Sequence, residues 1–229
     1  MEKNNLINFV LESVQRNKKS QKEYSFGLGY AFVKDPLPDN IDLNYVLETI
    51  EEIIPLEMRH GVESIMIGDF EEFQERNINA FFKDGAVYVT NSQTDNSDMI
   101  DDIVHEIAHS VENVYGYEIY AVEPNITQEF RNKRLQLEKL LLQQGVGTQG
   151  FDFSDVEYSP EFDDYLYKTV GYPLLQTLSL GRFPDAYGVT SIREYFASGF
   201  EAYFLGNREY LKKVSPILYR KIKELLAND

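Results

Sequence analysis

Apolar residues recur along this chain with two different spacings, and each spacing predicts a different secondary structure. Around residues 97–115 they recur every three or four positions, which is typical of an amphipathic helix, and acidic residues stand at its start, where the helix dipole is positive. Short runs at 80–82 and 86–90 flank Asp84-Gly85 and predict a hairpin, because a type I′ turn needs positive φ at both central residues. The hairpin therefore leads into a helix that ends at Gly116, with a buried side formed by Ile100, Ile103, Val104, Ile107, Ala108 and Val111.

The remaining periodicities predict a chain that begins with mixed elements and ends with helices. A strand is expected at 62–67, and a long turn-rich and aromatic loop at 146–164. Helices are expected at 3–22, 42–58, 125–144 (closed by Gly145), 161–170, 190–206 and 208–227. These elements predict an α+β fold in one domain, 1–229, with an N-terminal α/β lobe at 24–116 and a helical C-terminal lobe at 117–229.

Composition narrows the classes of partner and compartment. With 43% apolar and 14% aromatic residues the chain is typical of a folded globule, and no stretch has the length of a membrane span or of a signal-peptide core. We expect a soluble protein, either cytoplasmic or a mature secreted or virion-associated form. The net charge of −16 argues against nucleic acid as a partner. It is compatible with basic peptides, although an acidic surface is more commonly a means of staying soluble.

Two of the three histidines stand in the motif His105-Glu106-Ile107-Ala108-His109. On a helix, residues four positions apart lie on one face, so both imidazoles can reach one ion while Glu106 projects beside it. H-E-x-x-H is the signature of zinc metallopeptidases, in which the two histidines bind Zn²⁺ and the glutamate is the general base. The alternative is a pair of ordinary surface histidines. The motif predicts a catalytic zinc site.

A catalytic zinc site takes three protein ligands, so one more is needed. The chain has no cysteine, and His60 is the one other histidine, which favours a carboxylate. The metzincin pattern is excluded because Glu112 and Tyr115 occupy the positions where it needs glycine and histidine. Glu112 itself lies one turn beyond His109, but three ligands on successive turns of one straight helix do not easily close a tetrahedron. Glu194, on a second helix, is the better candidate, although Ser191 and Glu194 would equally form a capping box.

The segment around Glu194 resembles a known family: the zinc peptidases similar to the catalytic domain of anthrax toxin lethal factor, which include the secreted Pro-Pro endopeptidases. In that family H-E-x-x-H is followed by a Tyr-Gly turn and then by a helix opening Glu-(Phe/Tyr)-Phe-Ala. This chain has Tyr187-Gly188 and Glu194-Tyr195-Phe196-Ala197. The resemblance implies a zincin-like fold with an edge strand over the motif helix. It also implies zinc ligation by His105, His109 and Glu194, catalysis by Glu106, and oxyanion assistance by Tyr187.

This chain departs from the family at two places. The connection from His109 to Glu194 is longer than usual, and its residues Tyr158, Phe162, Tyr165 and Tyr172 are expected either to line substrate pockets or to belong to the core. Ser198 stands where the lethal-factor helix has a second acidic residue, with Glu201 nearby.

The predicted function is that of a zinc-dependent endopeptidase. Its substrate is a peptide or protein, for which basic or proline-containing sequences are candidates, and strand 86–90 would pair with that substrate if it forms the sheet edge. The alternatives are a catalytically silent zincin-fold binding or assembly protein, such as a phage or secretion-apparatus component, and a delivered toxin or effector protease.

Overall fold

In the described part of the chain, strands and short helices alternate from Glu23 to Val89, and the elements from Asn96 onward are helical. The structure is a computed structural model that describes residues 22–76, 78–123 and 125–227, and it confirms a mixed α+β architecture. The helix predicted at 3–22 lies outside the described residues except for Lys22.

One five-stranded mixed sheet contains the strands of the described residues: β1 (Glu23–Phe26), β2 (Gly29–Val33), β3 (Ser64–Ile67), β4 (Ala80–Lys83) and β5 (Ala86–Val89). The strand order is β1-β2-β3-β5-β4, with antiparallel pairs at the two ends and parallel pairs between β2, β3 and β5. The hairpin at Asp84-Gly85 is confirmed, because these two residues have φ of 50° and 79°. The β1–β2 hairpin was not predicted.

The strand expected to pair with substrate is not at an edge of the sheet. β5 pairs with β3 on one side and with β4 on the other, from Ala86 to Val89. Its backbone groups are therefore engaged in the sheet, so the condition under which this strand would pair with substrate is not met. The edges are β1 and β4.

Prolines divide two of the predicted helices, since proline has no N–H to donate to the preceding turn. The helix expected at 42–58 is two helices separated at Pro55, and the helix expected at 208–227 is two helices separated before Pro216. The helices are α1 (Leu43–Ile53), α2 (Leu56–Arg59), α3 (Glu71–Arg76), α4 (Asn96–Tyr120), α5 (Ile126–Gln143), α6 (Pro160–Asp164), α7 (Tyr172–Ser179), α8 (Ile192–Phe204), α9 (Arg208–Val214) and α10 (Pro216–Leu225), with a π-helical segment at Tyr165–Gly171 and a 3₁₀ turn at Tyr187–Val189.

The motif helix α4 is longer than predicted. Backbone angles leave the helical region at Tyr115 (φ −111°, ψ 21°), yet the helix resumes and continues to Tyr120. Ile119, which is completely buried, belongs to this extra turn and continues the apolar face. Gly116 therefore follows a kink and is not the end of the helix.

Contacts divide the chain into two compact units, and the boundary lies inside α4. The first unit contains residues up to Glu52 together with Val62–Ile103, and the second contains Ile53–Gly61 and the chain from Val104 onward. Every predicted site residue belongs to the second unit. Within it, Gly199 of α8 lies against Leu218 of α10, where a Cβ would come within 2.3 Å of Leu218 Cδ2, so glycine permits the close approach of these two helices.

None of the helices in the described parts of the chain combines the length and the apolar character needed to cross a membrane.

Candidate metal centre

His105, His109 and Glu194 converge in the second unit. Glu194 Oε2 lies 2.9 Å from His105 Nε2 and 3.7 Å from His109 Nε2. The side chains are 17%, 11% and 16% exposed, so the group is largely shielded from solvent yet still reachable. Within the residues that the structure describes, these three form the one group of His, Asp and Glu side chains that could hold a metal ion.

Helix geometry explains how two distant segments supply these three groups. His105 and His109 stand one turn apart on α4, as their spacing predicted. Glu194 lies in the first turn of α8, whose start is capped by Ser191 Oγ accepting from the Glu194 N–H at 3.2 Å. The carboxylate of Glu194 is directed to the histidines. The serine half of the predicted capping box therefore forms, and it leaves the Glu194 side chain for the centre.

The Nδ1 atom of each imidazole contacts a further carboxylate, a different one for each histidine. His105 Nδ1 lies 2.5 Å from Glu201 Oε1, and His109 Nδ1 lies 2.5 Å from Glu112 Oε2. A carboxylate can only accept, so each Nδ1 donates its hydrogen, and both Nε2 atoms face Glu194. Once the Nε2 hydrogens are lost, the hydrogen held at Nδ1 leaves Nε2 as the atom that can bind a metal.

The charges of this cluster shift its ionisation strongly. Burial by itself would lower the pKa of His109, but hydrogen bonds and negative charge from Glu112 and Glu194 raise that pKa to about 9. The pKa of His105 is likewise raised well above its usual value, against the effect of burial, by Glu194 and Glu201. Burial would raise the pKa of Glu194, yet the two histidines hold it far below its usual range. Without metal, protons on the histidines therefore balance the carboxylates.

Tyr187 lies beside the centre, in the 3₁₀ turn that precedes α8. Its ring centroid is 5.9 Å from that of His105. Burial of its phenol, with negative charge from Glu194, Asp163 and Glu106, raises the pKa of Tyr187, so the hydroxyl keeps its proton at neutral pH. Glu106 itself is buried on α4 between the two histidines and is not among the three converging side chains.

Ser198, the departure from the family pattern, supports this turn. Ser198 Oγ donates to Asp185 Oδ1 at 2.9 Å, and the same oxygen accepts from the Gly188 N–H at 2.7 Å. An added Cβ on Gly188 would lie 3.0 Å from Ser198 Oγ, so glycine permits the close approach. Asp185 thus joins the Tyr187 turn to the helix that carries Glu194.

The alternative ligands lie elsewhere. Glu112 contacts His109 at Nδ1, on the opposite side of the ring from the three converging atoms. His60 Nδ1 contacts the carbonyl of Glu57 at 2.5 Å, and its ring packs edge-on against Tyr115. Neither residue belongs to the cluster.

The aromatic residues of the long connection divide between core and surface. Phe162 and Tyr165 are buried and pack against Phe153, and the guanidinium of Arg134 lies 4.0 Å from the Phe162 ring centroid. Tyr158 and Tyr172 are 52% and 46% exposed. Of the four aromatic residues expected either to line substrate pockets or to belong to the core, Phe162 and Tyr165 therefore belong to the core.

The geometry of the cluster fits zinc. Ligand atoms about 2.0–2.2 Å from a tetrahedral ion lie about 3.3–3.5 Å from one another. The Nε2–Oε2 distances of 2.9 and 3.7 Å bracket that value, so small adjustments of side chains would suffice. Two neutral imidazoles and one carboxylate are also a donor set that catalytic zinc uses.

Three side chains that support this site were not predicted from the sequence: Asp185, Tyr120 and Arg193. Glu201 was noticed near the site, and its position seven residues after Glu194 places both on one face of α8. Arg193 has no such local signal, because its partner Glu112 is 81 residues away. Asp185 accepts from the nearby Gly188 N–H, but its bond to Ser198 forms only when the turn packs on α8. Comparisons of this chain with protein-family models, with curated proteins and with solved structures found no match.

Proposed function

We propose that this protein is a zinc-dependent endopeptidase with a zincin-like site, in which His105, His109 and Glu194 are the metal ligands. The observation that supports this most strongly is the convergence of two Nε2 atoms and one carboxylate oxygen, each within 4.8 Å of the others. A structural zinc site usually takes four protein ligands, whereas three ligands leave a position for substrate chemistry. The same observation makes hydrolysis the best-supported class of reaction.

Zinc held by these ligands would supply a Lewis acid that polarises a carbonyl and makes water more acidic near neutral pH. Glu106 would accept the proton of the attacking water and pass it to the leaving amine. Glu106 lies between the two ligands in sequence on the same helix, and its charge affects Tyr187 beside the centre, so it would be the base available to the reacting atoms. No ligand role competes for it, since Glu194 completes the set.

Tyr187 would donate a hydrogen bond to the developing oxyanion. Its raised pKa keeps the phenol protonated over the whole neutral range, and its ring already lies next to His105. Asp185 and Ser198 would keep the turn in place during the reaction. The protein would thus offer the substrate one general base, Glu106, and one hydrogen-bond donor, Tyr187.

The negative charge of the chain would favour substrates with basic side chains. The chain carries a net charge of −16, and Asp163 lies close enough to the centre to affect the pKa of Tyr187. Proline-containing peptides remain a candidate through the family resemblance. A peptide library that spans both classes would rank them.

The decisive experiment measures zinc content and cleavage of that library, with and without a chelator, in the native chain and in Glu106→Gln. We expect the variant to keep its zinc and to lose hydrolysis. Glu118→Gln, an exposed position on the same helix, is the matched control and should retain both. An undiminished rate in Glu106→Gln would exclude Glu106 as the base. Zinc binding by the native chain without cleavage of any peptide would instead identify a binding or assembly protein.

A further inference from the structure

The Glu112 carboxylate is the most enclosed charged group around the metal centre. Its side chain is 4% exposed, compared with 26% for Glu201, which contacts the other histidine. Three donors surround it: His109 Nδ1 at 2.5 Å, Arg193 Nε at 3.4 Å, and the hydroxyl of Tyr120. A buried carboxylate is costly unless donors satisfy it, so this arrangement fixes the carboxylate in one orientation.

These donors come from different parts of the second unit. Tyr120 lies beyond the kink in α4 and reaches back to Glu112 Oε1, while Arg193 lies in the first turn of α8, directly before Glu194. Glu112 Oε2 therefore contacts both a metal-ligand candidate and the neighbour of another one. The carboxylate joins the two helices that supply the ligands.

We infer that Glu112 is a positioning residue, which Tyr120 and Arg193 hold in place so that it orients His109 with Nε2 toward the metal. The inference rests on the proposed zinc site. A carboxylate that accepts from Nδ1 of a ligating histidine fixes the ring and makes Nε2 a stronger donor. The two nitrogens of an imidazole point in divergent directions, so a group bonded at Nδ1 does not share the ion at Nε2. Glu112 is therefore a support for a ligand and not a ligand.

The test is zinc affinity, measured by competition with a chromogenic chelator. Glu112→Ala should bind zinc about 10–100-fold more weakly than the native chain, the range typical of a lost outer partner. Glu112→Gln, whose amide oxygen can still accept from Nδ1, should recover part of that loss. Tyr120→Phe removes one donor to Glu112 and should weaken zinc binding several-fold, as should Arg193→Gln. Tyr117→Phe is the control, because Tyr117 is 73% exposed on the same helix.

A second readout separates support from ligation. With Co²⁺ in place of zinc, the visible absorption of Glu112→Ala should keep the band positions and intensity of the native chain once the site is saturated, because the ligand set is unchanged. A lower intensity of the Co²⁺ absorption bands at saturation, compared with the native chain, would show that a ligand has been lost. Glu112 would then be a ligand, and the inference would be overturned.

The outcomes also separate this inference from the proposed function. If the native chain binds no metal, both fall together. If it binds zinc and the Glu112, Tyr120 and Arg193 variants all bind it within twofold of the native chain, the positioning role alone is wrong. Should Glu112→Ala not fold, as judged by circular dichroism, Tyr120→Phe and Arg193→Gln decide the question, because both leave the carboxylate in place.

Discussion

Zinc binding at pH 7 should release about two protons per ion. In the metal-free protein the pKa of His109 is about 9, so at pH 7 this imidazole is about 99% protonated. His105, whose pKa is also raised well above its usual value, carries a second proton. Both must be lost before Nε2 can bind an ion, whereas Glu194 is already ionised.

The expected pH dependence follows from this count. Below the pKa of both histidines, loss of two protons makes the apparent affinity about 100-fold weaker for each unit by which the pH falls, or about 2.7 kcal/mol per unit. An ordinary exposed pair with pKa near 6.5 would show little dependence above pH 7. A strong pH dependence of zinc affinity between pH 7 and 8 would therefore show that the surrounding carboxylates raise the pKa of the histidines.

Calorimetry can count the protons directly. Titration of metal-free protein with Zn²⁺ at pH 7, in two buffers of different ionisation enthalpy, gives heats that differ in proportion to the protons released. His60→Gln is the matched control and should leave the number unchanged, because His60 lies outside the cluster. Release of fewer than one proton per ion would contradict this expectation, since the histidines would then be neutral before metal binds.

Three further predictions concern stability and catalysis. The metal-free protein should become less stable to urea as the pH rises, because the raised pKa of His109 contributes stability that is complete below about 6.5 and is lost as the pH passes about 9. Tyr187→Phe should lower kcat about 10²–10³-fold in a peptidase assay while zinc affinity stays the same, since one oxyanion donor is removed; an unchanged kcat would exclude that role. Gly199→Ala should lower the free energy of unfolding by about 1–3 kcal/mol, because its Cβ would lie 2.3 Å from Leu218 Cδ2. Gly147→Ala, where a Cβ meets nothing within 4 Å, should change it by less than about 0.5 kcal/mol, and equal effects would contradict the packing argument.

Features that depend on local spacing were predictable from the sequence. The interval of four between His105 and His109 places them on one face of any helix, and Asp84-Gly85 specifies a turn through its own backbone preferences. Glu194 needed the resemblance as well, because its distance in sequence from His109 carries no geometric information by itself. The structure brings it to both histidines.

Features that depend on packing were not predictable. The end predicted for α4 at Gly116 is wrong because the buried Ile119 continues the helix beyond the kink at Tyr115. Strand β5 is interior because β3 and β4 flank it, and a single strand's sequence does not reveal its neighbours. The partners of the Glu112 carboxylate lie on two helices, so they become visible only when both are folded.

The proposed zinc site requires that His105, His109 and Glu194 bind one ion together. Its most direct test is the zinc content of purified protein after dialysis, measured by mass spectrometry for the native chain and for Glu194→Ala, with Glu201→Ala as the variant that removes a supporting carboxylate. We predict one ion per native chain, none retained by Glu194→Ala, and weakened but measurable binding by Glu201→Ala. A native chain without zinc, or full retention by Glu194→Ala, would contradict the account.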